Sequence, residues 1–377
     1  MEEYRKQIDE IDKKILALLE ERLNVAGEIG KYKDQRNLPI TDYLREKRLL
    51  SKIVEGSKPE FAMYNKILFS TIMEISKEHQ RRVTSKESNL IKTIENAVEN
   101  GVKALPDTAT VACQGVEGAY SAEACEKLFK NPKIMYLKNF KGVFAAIENG
   151  LCQYGILPIE NSTAGSVNQI YDLMIDYDFH IVKSIRVKID HNLLGKAGMK
   201  KENVKRIYSH EQAIAQCDEY LKTLGDVEII VCENTAEAAK LVSLSSDGEA
   251  AALASFAAAR MYGLTCIEEA VQDKDNNYTR FICISKNLEV LAGADRTSLR
   301  LVLDHKPGAL YNVLSRFNAM GINLLKLESR PLPKREFEFM FYFDIQCSIY
   351  SKEFTSMIGQ LEEMSREFTY LGSYMEV

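Results

Sequence analysis

The sequence predicts a multidomain protein in three parts: an all-α domain, an α/β domain and a smaller α+β domain of ferredoxin-like order. Three observations carry this. Apolar residues at Tyr4, Ile8, Ile11, Ile15 and Leu18, and again at Val25, Ile29 and Tyr32, recur at alternating steps of four and three, the seam of a long helix packed on other helices. From Thr108 short β-rich runs alternate with helical ones. From residue 297 the order strand, helix, strand, strand, helix, strand begins. A chain of 377 residues is long enough to give each part its own core.

The helical domain spans residues 1–85. Its first helix runs to about Lys33, and a turn around "NLPIT" precedes a second helix opening at Thr41 or Asp42. Gly56 to Pro59 break the chain before a third helix from Phe61 to Arg82. The seam of the first helix misses one beat, at position 22, where Arg22 stands for an apolar residue. Arg22 and Lys33 lie about three turns apart and share a face with Ala26 and Ile29. Burying an unpaired guanidinium is costly, so two cations on an apolar stripe call for anions. Asp42, Arg45 and Glu46 share one face of the second helix, Ser76 and Gln80 one face of the third beside Ile72, and Arg5 lies beside the seam. Taken singly, each charge reads as half of an interhelical salt bridge on a solvated face. Taken together, the arginines suit carboxylates, which their fork binds bidentately, while Lys33 and Gln80 can donate to a neutral oxygen. No nucleophile with a paired base accompanies them. The set fits a reaction that needs a held conformer and a stabilised ether oxygen. Arg22 is expected to point into a solvent-poor pocket with too few protein carboxylates to neutralise it.

Residues 86–107 read as a linker with an amphipathic piece of its own, "NLIKTIENAVEN". The α/β domain follows over 108–287. Strand-like "ATVAC", "YGILPI", "VKRIYS", "VEIIVC" and "TRFICIS" alternate with helical runs, which implies a mainly parallel sheet. Two clusters, 108–188 and 189–268, suggest two lobes, with "TRFICIS" returning to the first. Ligands of such domains bind beyond the carboxyl ends of strands, and polar clusters fall there: "QGVEGAYS", "PIENSTAGSV", "YSHEQ" and "NNYTRF". The glycine run is neither a dinucleotide fingerprint nor a phosphate loop, which argues against nicotinamide and ATP, and alone it reads as a tight turn. His210 alone reads as an ordinary capping histidine. The α+β domain covers 297–377, with "TSLRLVLD", "INLLKLESR" and "EFEFMFYFDIQ" as strands, "PGALYNVLSRFNAMG" as a helix, a second helix near 351–365 and a last strand near 367–374.

Composition narrows the partners. With 46% hydrophobic and 27% charged residues the chain reads as an ordinary soluble protein, and its net charge of −5 argues against nucleic acid. Residues 1–85 nevertheless carry a net +2 against −7 for the remainder, a small bias toward an anionic ligand at the N-terminal end. The eight cysteines show no CxxC pair and no zinc spacing. The N-terminus is charged and helical, without a signal peptide, and no apolar run reaches spanning length. The expectation is a reduced, cytoplasmic protein with no metal, no cofactor and no membrane partner.

The polar set of residues 1–82 resembles the all-helical chorismate mutases, intertwined dimers that rearrange chorismate to prephenate. By that resemblance Arg22 with Arg45 or Arg5 would hold the two carboxylates, Arg5 coming from the partner chain. Lys33 and Gln80 would bond the ether oxygen, and Asp42, Glu46 and Ser76 would contact hydroxyl groups or orient the cations. "PIENS", "YSH" and the "TRF" triplet (Thr279, Arg280, Phe281) resemble prephenate dehydratases over 108–286. The resemblance implies a cleft between two lobes, periplasmic-binding-protein-like, in which prephenate loses carbon dioxide and its ring hydroxyl to give phenylpyruvate. Thr279 would donate or position the proton; Glu160, Asn161, Ser209, His210, Gln216, Glu233 and Arg280 would bind substrate or tune the acid. The sequence departs from the pattern at Glu211, where many members have proline, and at Ala122, where histidine is frequent. Gly308, Ala309 and Leu310 with Glu328, Ser329, Arg330 and Pro331 resemble the phenylalanine-binding subset of ACT regulatory domains, which pair side by side. A homodimer or dimer of dimers follows. The implied whole is a bifunctional mutase–dehydratase inhibited by phenylalanine; the alternatives are an arogenate-preferring dehydratase and a non-catalytic amino-acid sensor, while a dehydrogenase is disfavoured.

Overall fold

The four-three apolar rhythm becomes one helix, α1 (Glu2–Asp34), of 33 residues and about 50 Å at 1.5 Å per residue. Asp42 accepts a bond from Arg45 N at 3.0 Å and so caps α2 (Tyr43–Glu55). After the break at Gly56 come α3 (Ala62–Thr84) and α4 (Asn89–Asn100). The computed structural model describes residues 1–84, 88–332 and 338–377. It divides into two compact units, Met1–Lys92 with Thr355–Arg366, and Thr93–Phe354 with Glu367–Val377. The expected domain end at residue 85, the first two linker residues and the start of the "EFEF" strand at 336–337 lie outside the described residues.

In the helical unit α3 packs on both α1 and α2. The α1 face that meets α3 is made of small residues, Ala26, Gly27 and Gly30, all buried. A Cβ on Gly30 would sit 3.0 Å from both Cα and Cβ of Gln80, closer than packed atoms tolerate. Gly30→Ala is therefore expected to push α1 off α3 and cost about 1–3 kcal/mol, read as a lower midpoint in thermal unfolding. The apolar seam itself is left largely uncovered by the described helices. Tyr4, Ile8, Ile11, Ile15, Leu18, Val25, Ile29 and Tyr32 remain 39–70% exposed. The expectation that the seam packs on other helices is thus not met within one chain.

The second unit carries three sheets. The first part of its chain comprises β1 (Thr108–Gln114), α5 (Tyr120–Leu128), β2 (Asn131–Leu137), α6 (Phe140–Glu148), β3 (Tyr154–Asn161), β4 (Gly165–Ser166), α7 (Asn168–Leu173) and β5 (His180–Lys188). Next come β6 (Asn192–Gly195), β7 (Arg206–Ser209), α8 (Glu211–Gln216), α9 (Asp218–Thr223), β8 (Glu228–Val231), α10 (Thr235–Leu244), β9 (Ala250–Ala254), α11 (Phe256–Tyr262) and β10 (Thr265–Glu268). β11 (Tyr278–Ser285) then returns to the first sheet, as expected, between β3 and β5. The sheet orders are β2-β1-β3-β11-β5 and β10-β6-β9-β7-β8. Neither is mainly parallel. β1 pairs β2 and β3 in parallel, but β11 runs antiparallel to β3 and β5. In the second sheet β6 runs antiparallel to β9 and β10. Each lobe mixes its sheet because the crossing segments enter it from the other lobe.

The third sheet follows the expected order: β12 (Arg296–Val302), α12 (Ala309–Ala319), β13 (Asn323–Pro331), β14 (Phe339–Gln346), α13 (Lys352–Met364) and β15 (Glu367–Tyr374). All its pairings are antiparallel, in the order β13-β14-β12-β15. One core cluster joins it to the first sheet. Leu157, Ile159, Ile282 and Ile284 pack with Met340, Tyr342, Leu371 and Tyr374. The opposite face of the first sheet buries Ile156, Phe281 and Cys283 among Cys113, Cys125 and Phe129. Side chains of successive strand residues thus go to two different interiors. All eight cysteines are free thiols.

Candidate active sites

The helical unit holds a cavity of about 1130 Å³ between its three helices, with Arg22, Lys33, Asp42, Arg45, Glu46, Ser76 and Gln80 in its wall. Seven cationic side chains against three acidic ones line it, a field that attracts an anion. Arg22 is half-buried, donates through Nη1 to Ser76 Oγ and forms no ion pair among the described residues. Burial lowers its pKa: here a cation stands without a neutralising carboxylate. Lys33 Nζ donates to Ile40 O at 2.6 Å. Gln80 is 8% exposed and its Oε1 is buried without a hydrogen-bond partner. A buried amide oxygen costs free energy until it is bonded, so the cavity carries an unmet polar demand as well as a charge excess. Arg5 is exposed and does not line the cavity. Lys77, which pattern reasoning passed over, is 6% exposed in the same wall, 3.1 Å from Glu46 and 2.6 Å from Glu74. Its signal was available: it lies one turn before Gln80 on the buried side of α3.

A second site forms where β3 ends and β11 begins. Asn161 stands opposite Thr279 in register, and Glu160 opposite Arg280. Asn161 Nδ2 donates to Thr279 Oγ1 at 3.0 Å and to Asn277 Oδ1 at 2.8 Å. Asn161 Oδ1 accepts from the amides of Thr163 and Ala164 and from Thr163 Oγ1, at 2.7–3.0 Å. These contacts fix which way the amide faces. Because Thr279 Oγ1 is the acceptor, its own proton remains free to be given. Gln216 extends the network: Nε2 donates to Thr163 Oγ1, and Oε1 accepts from Asn277 Nδ2, both at 2.9 Å. Gln216 Oε1 also lies 2.9 Å from His191 Nε2, which must carry the ring proton because an amide oxygen cannot donate. His191 was missed in the sequence, since it lies in none of the quoted clusters, and Asn277, though inside "NNYTRF", was given no role.

The remaining predicted residues separate. Ser209, at the end of β7, is wholly buried and donates to Leu253 O at 2.8 Å. His210 caps α8, its Nδ1 accepting from Gln212 N at 3.2 Å. Glu233 is exposed in the bend after β8. Glu160 and Arg280, expected at the substrate, are turned to the opposite face of the strand pair. Arg280 pairs with Asp344, and Glu160 with Lys326 at 2.9 Å. A bulge explains the turn. The register shifts between Arg280 and Phe281, leaving Ile159 as the extra residue of β3, so Ile159 and Glu160 share the face toward the third sheet. In that sheet Ala309 and Leu310 line a cavity of about 380 Å³ with Phe339 and Phe341, beside Gly308, which caps α12 with φ +85°. Glu328 and Arg330, expected around an amino acid, instead bond the first lobe. Glu328 accepts from Ser166 at 2.5 Å and Arg330 grips Asp172 at 2.7–2.9 Å. Ser329 and Pro331 alternate onto the exposed side of β13.

His180 and His191 are both held below the ordinary 6.5, first by burial, which outweighs Asp178 for the one and the bond to Gln216 for the other. They fold neutral, so the unfolded chain binds more protons once pH drops below its histidine pKa. Stability is then present above about 6.5 and is lost as pH falls. Thermal unfolding followed from about pH 7.5 to 5.5 should show a falling midpoint, with a shallower slope in H180Q/H191Q.

Family models match both regions: chorismate mutase type II over residues 4–81 and prephenate dehydratase over residues 111–289. The bifunctional chorismate mutase/prephenate dehydratase of Aquifex aeolicus (strain VF5) is 32% identical over 99% of this chain and 97% of its own. This chain belongs to the bifunctional chorismate mutase/prephenate dehydratase family. Arogenate dehydratase 2 of Petunia hybrida is 36% identical over 80% of this chain and 81% of its own. The prephenate dehydratase of Arthrobacter aurescens, solved in complex with L-Phe, superposes with a TM-score of 0.65 at 26% identity, covering 71% of this chain and 89% of that one. Within the family, the helical cavity lies in the mutase region and the Asn161–Thr279 network in the dehydratase region. Among the described residues no helix is long and apolar enough to cross a membrane, and no group of three or more His, Cys, Asp or Glu side chains could hold a metal.

Proposed function

We propose that the chain rearranges chorismate to prephenate in the helical cavity and converts prephenate to phenylpyruvate at the Asn161–Thr279 network, under phenylalanine control. The observation that carries the first step is Arg22, without an ion-pair partner among the described residues, in a cavity lined by seven cationic side chains against three acidic ones. Chorismate is a dianion: Arg22 and Arg45 take its carboxylates, with Arg5 supplied by a second copy. Lys33 and Gln80 bond the ether oxygen through N–H groups, while Asp42, Glu46 and Ser76 meet its hydroxyl or set the cations. The mutase residues occupy 1–85 and the linker 86–107.

The dehydratase occupies 108–287, two lobes of periplasmic-binding-protein-like build. Thr279 gives its proton toward the departing ring hydroxyl as carbon dioxide leaves, and Asn161 holds Oγ1 for that transfer. Gln216, Ser209, His210 and Glu233 come from the second lobe; Ser209 and His210 shape its wall through the backbone they pin. The ACT reading of 297–377 is supported by the strand order, the cavity at Ala309–Leu310 and the L-Phe bound by the Arthrobacter relative.

Two surfaces support a homodimer or dimer of dimers. The exposed α1 seam would gain about 1.5–3 kcal/mol for each large side chain it buries. The edge strand β13 leaves Leu325 and Leu327 37% exposed. The compartment proposed is the cytoplasm.

The test supplies purified protein with chorismate alone and follows phenylpyruvate, with and without phenylalanine. Phenylpyruvate formation that phenylalanine suppresses is expected. No product from chorismate or from prephenate overturns the enzymatic reading, and turnover indifferent to phenylalanine overturns the regulatory one. An arogenate arm is included because of the Petunia relative's name; faster turnover of arogenate than of prephenate would reassign the substrate.

A further inference from the structure

We infer that Arg280 is a positioning residue for the dehydratase step, acting on its neighbour Thr279 through Asp344 of β14 and not through a substrate carboxylate. The inference rests on the dehydratase reading above. Arg280 follows Thr279 in β11, so its side chain leaves the opposite face of the strand. There it is 8% exposed, ion-paired with Asp344, and its Nε lies 3.8 Å from Glu160 Oε2. The acidic partners are themselves occupied. Asp344 Oδ1 accepts from Ser298 Oγ at 2.5 Å, and Ser298 Oγ lies 2.8 Å from the buried Tyr374 hydroxyl. Glu160 is held by Lys326 at 2.9 Å. Burial pulls the Arg280 pKa down, but Asp344 together with Tyr374 and Tyr171 outweighs it and the net is upward. A substrate carboxylate would have to displace a buried ion pair from the far side of the sheet.

Pairing of β11 with β3 shifts between Arg280 and Phe281, and the extra residue, Ile159, lies in β3. β11 itself keeps regular register with β5 from Tyr278 to Cys283. The Arg280–Asp344 pair adds a tie from β11 to β14 at the residue next to Thr279, and Asp344 is in turn paired in register with Ser298 of β12. Thr279 Oγ1 then stays aligned on Asn161 Nδ2. Transfer to a leaving group demands that alignment to within a fraction of an ångström.

Steady-state prephenate turnover by the full chain tests this in R280M, D344N and R280M/D344M, with R280K as the conservative change. Each single variant should lose kcat by about 10–100-fold with KM changed by less than about threefold. The double variant should be no worse than the poorer single one, and R280K should recover part of the loss. The thermal unfolding midpoint of the same preparations reports that the second unit is folded, and chorismate turnover reports the same for the helical unit. Should the single variants fail to fold, R280M/D344M leaves no lone buried charge and still reads kcat. A rise in KM for Arg280 variants with D344N unaffected would overturn the inference by placing Arg280 on the substrate. A folded R280M/D344M with wild-type kcat would overturn it too, leaving the pair purely structural. Failure of the unmutated chain to consume prephenate would instead refute the dehydratase reading itself.

Discussion

Arg22→Ala should abolish chorismate rearrangement while prephenate turnover by the same molecule continues. Arg22 lies on α1 in the cavity wall, its only side-chain bond among the described residues going to Ser76. A guanidinium that meets a carboxylate in such a place contributes about 2–5 kcal/mol when the contact is truncated, or roughly 30- to 5,000-fold in kcat/KM. Stability should move the other way or not at all. Burial lowers the Arg22 pKa, so in the empty cavity its charge is a cost to the fold, and alanine removes that cost. The measurement is paired: mutase and dehydratase rates on one preparation, with its thermal midpoint. Loss of both activities would refute the assignment of independent sites, and a sharply lowered midpoint would make Arg22 a packing residue.

Thr279→Ala should do the reverse, lowering prephenate turnover by about 10²–10⁴-fold, the range for a positioned proton donor, with the mutase rate unchanged. The loss belongs in kcat, because Asn161, Asn277 and Gln216 keep their mutual bonds without the hydroxyl. Thr279→Ser restores a proton at the same reach and should recover much of the rate. If serine were as poor as alanine, the hydroxyl would not be the group that matters. Rapid quenching with product analysis separates slow chemistry from slow release.

Much of the architecture was legible because period alone distinguishes the parts: the seam of α1, the short strands after Thr108 and the final six-element order. The cavity was legible for a related reason, since Arg22 breaks a regular apolar stripe. Period says which residues share a face, however, and not what covers that face. The seam therefore reads as packed although its residues stay 39–70% exposed in the single chain, and Glu328 and Arg330 read as a ligand site although the even face of β13 meets the first lobe. Lys77 escaped although it shares the buried side of α3 with Met73, Ser76 and Gln80. The subtlest point concerns "ILPIEN", whose Glu160 and Asn161 are both read as substrate residues. Alternation from Leu157 and Ile159 places Asn161 with them, toward the third sheet. The extra residue at Ile159 reverses that phase, and a bulge has no signature in hydrophobic pattern.

That reversal sorts the two motifs by what can repair them. A hydroxyl lost at Thr279 or an amide lost at Asn161 has no substitute among the described residues of the network if, as proposed, each donates or orients a proton at the reacting atoms. A defect at Arg280 or Glu160 falls on the other face, among Asp344, Lys326 and Ser298, where a compensating change can restore charge balance from a different strand. Suppressors of dehydratase mutants should therefore appear in the third sheet for the second pair and be absent there for the first. Neighbouring letters of one short motif would then have separate genetics, divided by the thickness of a single sheet.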